Sequence, residues 1–193
     1  MKIINFFVIT ILIVMYTNCY SQEDVQNEFR KTSWGITKAK VKEAETAKIL
    51  KETEKELKYE YTLANLKCNI VYLFVNDKLI SGSYVITEDH KSKNTYIENF
   101  ETLKSKLQKK YNEPTKSETV WKNMRYKGDK VNWGHAISVD QLYYYTNWEF
   151  PKTKIEIKLS GKDEIVNLVI KYISIELENY EQQLKEQESL DDF

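Results

Sequence analysis

Five aromatic residues crowded into the stretch NWGHAISVDQLYYYTNWEF are the side chains whose types and spacing could do chemistry: Trp133, Tyr143, Tyr144, Tyr145 and Trp148. Flat rings of this kind stack on sugar rings or anchor a protein partner, and Arg125, with Lys127 and Lys130, places cations beside them. Side chains alternate along a strand, so Tyr143 and Tyr145 share one face and Tyr144 and Trp148 the other. One set is exposed unless both faces are covered. The competing reading is that aromatics are favoured in strands and simply pack on helices.

Other chemistries find little to work with. Nucleophilic catalysis needs a base beside a Ser, Cys or Thr, and His90 and His135 are the only histidines, neither in a triad context. His90 falls in the polar turn EDHKSKN, where solvation is its expected state. No His-x-His, Cys-x-x-Cys or HExxH spacing is present, so no metal ligands and no catalytic residues are assigned. Five glycines leave little room for a phosphate-cradling loop, and no cofactor is assigned. Glycoside hydrolysis would need two carboxylates at a fixed separation; Asp140 and Glu149, which flank the tyrosine-rich segment, are the best pair for it.

The elements that must position these groups are legible from periodicity. Thr37 can cap a short helix with Val41 and Ala44 on its apolar side and Trp34 and Ile36 beneath it. The high helix propensity of TAKILKETEKE makes one continuous helix to about Glu56 the rival reading. Period-two alternation predicts strands over Leu57–Leu63, Cys68–Val75 and Leu79–Thr87, with turns at Asn65 and at Asn76–Asp77. Tyr96, Phe100, Leu103, Leu107 and Tyr111 line one face of a long helix. Thr95 and Glu98 suit a capping box at its start, and Asn112 and Pro114 stop it. Strand patterns resume at Thr119–Asn123, Leu142–Phe150, Lys154–Leu159 and Ile165–Tyr172, with Ser160–Gly161 as the turn before the last. Ile173, Leu177, Tyr180 and Leu184 then give a terminal amphipathic helix. The expected class is α+β: an antiparallel sheet with helices on one face, in two helix-plus-meander halves.

Compartment is read from the first 21 residues, MKIINFFVITILIVMYTNCYS. Lys2, an apolar run from Phe6 to Tyr16, and small residues at Cys19 and Ser21 form a secretory signal peptide, with cleavage leaving Gln22 first. The run is shorter than the ~20 residues a membrane span needs. Lipoprotein processing at Cys19 is the alternative, and would attach the protein to a membrane. After cleavage Cys68 is the sole cysteine, without an intramolecular disulfide partner, and is read as a buried small hydrophobe. The organisation expected is signal peptide 1–21, flexible segment 22–32, one domain over 33–175, and an amphipathic helix with acidic tail over 176–193. The whole chain has 29 basic and 29 acidic residues, so no polyelectrolyte partner is implied and nucleic acid is disfavoured. Basic residues gather in 100–130 and acidic ones after 174, which allows self-neutralisation.

Three segments, SWGITKAKV, YLFVNDKL and KLQKKYNEP, resemble a pattern of uncharacterised bacterial secreted or periplasmic proteins with a Trp-Gly-x-Thr helix start and a Tyr-x-x-Pro helix stop. Asn112 stands where glycine is commoner in that pattern. The architecture is also similar, more distantly, to BamE-like and β-lactamase-inhibitor-protein-like domains. The shared motifs are structural punctuation and carry no catalytic residue; the sequence as a whole is read as a non-enzymatic envelope protein that binds a protein partner, with a glycan bound through the aromatic strip, or a carboxylate-based hydrolase, as the alternatives. N-terminal sequencing of the exported protein is expected to begin at Gln22; an intact mass carrying a diacylglyceryl group on Cys19 is the opposite outcome.

Overall fold

The computed structural model describes residues 28–180. Residues 1–27, with the expected leader, and residues 181–193, with Leu184 and the acidic end, lie outside the described residues. Within them the fold is α+β. Helix α1 (Lys38–Ala44) is followed by strands β1 (Lys48–Glu52), β2 (Glu56–Leu63), β3 (Leu66–Val75) and β4 (Lys78–Ile86). Helix α2 (Thr95–Tyr111) then leads to β5 (Lys116–Trp121), α3 (Trp133–Ser138), β6 (Leu142–Glu149), β7 (Thr153–Lys162) and β8 (Ile165–Ser174), and a last helix, α4, is described over 175–180. Together the strands make one eight-stranded antiparallel sheet in the order β1-β2-β3-β4-β8-β7-β6-β5. Each half opens with a helix and holds a four-strand meander, α3 being inserted between β5 and β6 of the second, and the halves join through their last strands.

Alternation decides which side is covered. Leu57, Tyr59, Ile70, Tyr72, Phe74, Tyr144, Trp148, Ile155, Ile157, Leu159, Leu168, Ile170 and Tyr172 all point to one face and are buried there. α2 lays Phe100, Leu103 and Leu107 on the β6–β8 half of that face. Over the other half, Val41 of α1 enters the core, together with a residue from further upstream, Phe29. Phe29 is 1% exposed, and its ring packs against Tyr72, Tyr84 and Tyr172 at centroid distances of 5.1–5.3 Å. It fits because Gly82, directly beneath it on β4, has no side chain. A Cβ built there would lie 2.0 Å from the Phe29 ring.

Several expectations need correction. Residues 28–32, expected to be mobile, form a tight turn with Arg30 at φ 55° and backbone bonds between Phe29 and Thr32, because burying Phe29 outweighs the polarity of its neighbours. The rival continuous helix to Glu56 does not form. KILKE is β1, since a hairpin closed by Thr53 N–H on the Glu56 carbonyl offers it the free edge of β2. The turn before β8 lies at Asp163–Glu164, both with positive φ, while Gly161 stays in β7. Gly161 is there for close approach: a Cβ would meet the Ile137 carbonyl of α3 at 2.4 Å. The capping box at Thr95 and Glu98 is absent; Thr95 is already helical and Asn94, the preceding residue, uses its side chain elsewhere. It donates to the Lys130 and Val131 carbonyls and accepts from Gly134 N–H, tying α2 to the unforeseen α3. Ile173 belongs to β8 and not to the terminal helix.

Gly82→Ala is expected to destabilise the protein by about 2–3 kcal/mol in urea unfolding, as overpacking does. Combined with Phe29→Ala, the same substitution should cost less than the sum of the two single changes, because the clash is then gone.

Candidate functional site

The five sequence-predicted aromatics are not brought together on one surface. Tyr144 and Trp148 are 6% and 1% exposed beneath α2. The Trp148 indole N–H donates to the Asn112 carbonyl at 2.9 Å, and Tyr144 packs on Phe100 at 5.4 Å with its pKa pushed up to about 12 by burial. Tyr143 and Tyr145 emerge half-buried on the opposite face of the sheet. Trp133 opens α3, stacks edge-on against Trp121 at 5.6 Å and donates to the Lys127 carbonyl. Arg125 lies on the exposed loop between β5 and α3 with its guanidinium over Tyr126. A continuous stacking strip therefore does not exist, because strand alternation commits half of it to the core.

What the fold presents instead is the open face of the sheet. Its central strands carry Val71, Leu73 and Val75 of β3, Val85 of β4 and Val169 of β8, each half-buried. Registers across the ladder place Val85 directly opposite Val169 and diagonal to Val71, while Lys58 and Ser83 face Val71 and Asn69 faces Val85, so the apolar stripe at the junction of the two halves is interrupted by polar neighbours. Charges flank it. Lys58 lies on one side; Lys171, Glu156 and Lys158 lie on the other, with Lys158 and Lys122 over the Tyr143 ring at 5.6 and 5.9 Å. The stripe was missed in the sequence because one valine at a time in an alternating strand reads as ordinary propensity.

The remaining polar groups are engaged in structure. His90, expected to be solvated, sits 4.7 Å from the Tyr96 ring and its Nε2 lies 2.8 Å from the Asn99 amide. His135 packs on Tyr126 at 5.4 Å. Near it, Lys93 Nζ donates to Ser138 Oγ at 2.9 Å and pairs with Glu164, whose carboxyl is held below its usual range chiefly by that lysine. A serine beside a lysine suggests a nucleophile and base, but the lysine here is neutralising a carboxylate and Ser138 is wholly buried. Asp140 and Glu149 lie at opposite ends of β6, on the order of 25 Å apart at strand rise, far beyond the spacing of a hydrolytic carboxylate pair. Asp140 is bound by Lys122 at 2.7 and 2.8 Å. Cys68 is buried, with its thiol pKa pushed up to about 11 by burial. Among the described residues no group of three His, Cys, Asp or Glu is placed to hold a metal, and no helix is long and apolar enough to cross a membrane.

One cluster had no sequence signal at all. Arg30 reaches Glu45 with two nitrogens, at 2.8 and 3.1 Å, and lies over the Tyr61 ring at 4.4 Å. Tyr72 donates to the same carboxylate at 2.8 Å. Burial opposes the charges on both Arg30 and Glu45. Hydrogen bonds outweigh it: Tyr84, Tyr61 and Glu45 raise the Arg30 pKa, while Arg30, Tyr72 and the Ala47 N–H lower that of Glu45. The cleft they line has only water-sized room, so this is a clasp and not a ligand site. The partners are separated by 15 residues and only the fold pairs them.

No family model, curated protein or solved structure matches the chain. Its activity has to be read from its own geometry.

Glu45→Gln is expected to cost about 3 kcal/mol at pH 7, since it leaves Arg30 without its buried counter-charge. The folded carboxyl is depressed below its unfolded value of ~4.3, so its stabilisation is present above that pH and is lost as pH falls through the folded pKa. The stability gap between wild type and variant should start to narrow as pH falls below ~4.3 and close once the folded carboxyl is protonated; a constant gap down to pH 2 would contradict the assignment.

Proposed function

We propose that this is a non-enzymatic, secreted or periplasmic protein that binds a protein partner of the cell envelope on the open face of its sheet. The observation that carries the reading is the half-buried apolar stripe Val71, Leu73, Val85 and Val169 on the sheet face opposite α1, α2 and α3. An antiparallel sheet can face water on one side, but a solvated face is ordinarily polar. Here the apolar centre and the charged flanks have the layout of a protein interface. Eight strands at about 4.8 Å spacing and some six residues of length give a face on the order of 700 Å², close to what one partner contributes to a stable complex. Tyr143 and Tyr145 add aromatic anchors at one side.

The leader supports the compartment, and the glycine-poor, histidine-poor composition supports binding over catalysis. A sugar-stacking role keeps only Tyr143 and Tyr145 of its five rings, and two half-buried tyrosines with lysines over one of them fit a protein surface better.

A photoreactive residue placed at Val169 or Tyr145 is expected to cross-link a protein of the cell envelope, whereas one at Glu101, exposed on α2, should not. Val169→Asp should reduce capture of that partner by about tenfold or more while leaving the melting curve nearly unchanged. Cross-linking from Glu101 alone would move the site to the helical side and sink this reading.

A further inference from the structure

The sheet has two free edges, and the sequence treats them differently. β1 slips register between Ile49 and Lys51, so that Leu50 is bulged out, and it carries Lys48 and Lys51 along its length. A bulge and edge lysines are the ordinary devices that stop a strand from being extended. β5 has neither a register slip nor a proline between Lys116 and Trp121.

Hydrogen-bond parity along β5 fixes which groups face outward. The Lys122 N–H donates to the Gln141 carbonyl, so Val120 and Glu118 are bonded to Tyr143 and Tyr145, and the alternate residues Ser117, Thr119 and Trp121 turn their N–H and C=O away from β6. No described residue hydrogen-bonds the backbone of Thr119 or Trp121 on that side. The side chains of Glu118, Val120 and Lys122 lie on the open face of the sheet, with Lys122 reaching over Tyr143.

We infer that β5 pairs antiparallel with β5 of a second copy of this chain, in the register centred on Val120. That register sets Val120 against Val120 of the second copy, Thr119 against Trp121, and Glu118 against Lys122 twice over, by symmetry. Centring on Glu118 would instead face two glutamates, and centring on Thr119 would face Lys116 with Lys122. Centring on Ser117 would also set Lys116 against Glu118, but it brings Pro114 opposite Val120 and needs the Thr115 N–H, which already donates to the Asn147 carbonyl. The Val120 register sets unlike charges opposite each other without either cost, and cross-strand pairs of this kind select register. The present partners of these charges do not forbid it: the Lys116–Glu118 pair is surface-exposed and weak, and Lys122 can keep Asp140 on one side. The product is a two-fold, sixteen-stranded sheet with both open faces on the same side, and it is independent of what that face binds.

Sedimentation of the purified protein over a range of concentrations tests this. Wild type is expected to show a monomer–dimer equilibrium. Thr119→Pro removes an outward N–H that β6 does not use, so it should be monomeric with a nearly unchanged melt. Glu118→Lys and Lys122→Glu should each weaken self-association by about tenfold, and mixing the two variants should restore a dimer of one of each. A monomeric wild type overturns the inference and leaves the edge to an extended segment of another protein. A dimer that survives Thr119→Pro, or that ignores the charge exchange, also overturns it and places self-association on β1 or on the open face.

Discussion

The structure depends on one missing side chain. β4 and β8 are the only strands that join the two meanders, and they pair over five positions, Ser81–Val85 against Ile173–Val169. Gly82 lies inside that short seam, and the space above it is filled by Phe29, whose ring touches Tyr72 and Tyr84 from one half and Tyr172 from the other. A single ring from the start of the described chain therefore bridges both halves. Arg30 next to it cannot follow into the core and is held by Glu45, which hangs from the end of α1, and by the Tyr84 hydroxyl at the seam. Burying the ring and pairing the guanidinium are one event, so the two residues order the turn that carries them.

Placing the helices and Phe29 on the same side has a consequence for the other side. The face under α1, α2 and α3 takes most of the large residues, and the opposite face keeps half-buried valines among lysines, glutamates, Tyr143 and Tyr145, with Ser81, Asn147 and Ile173 buried between them. With the catalytic alternatives either buried, as Ser138 is, or too far apart, as Asp140 and Glu149 are, the open face is the extended surface with a physical reason to be occupied.

Most of this fold was legible in the sequence, and the failures share a cause. Period-two runs gave seven of the eight strands and the Phe100–Leu103–Leu107 stripe gave α2, since each is a local pattern that burial on one side must write into the chain. β1 was ambiguous because all five of its residues are exposed, which leaves no buried face to print an alternation. Gly161 looked like a turn residue, yet its glycine is required by α3 lying across it, a contact 24 residues away in sequence. Phe29, Arg30 and Glu45 were invisible for the same reason. The aromatic segment was read correctly as a strand with two faces, and incorrectly as a candidate strip, because periodicity tells which side chains share a face but not which face receives the helix.

The equivalence of the two halves also sharpens what their differences mean. β1 and β5 hold the same place in their meanders, each the first strand and the outermost one. If both edges merely needed protection from chance pairing, both would be expected to carry the bulge that β1 has. β5 keeps a regular ladder and sets a valine between Glu118 and, four residues on, Lys122, a spacing that is complementary to itself when reversed. An edge left straight beside one that is blunted is a choice the sheet's own stability does not require, since both strands are already paired on their inner sides. The asymmetry therefore points outward, to something that the β5 edge is kept free to meet.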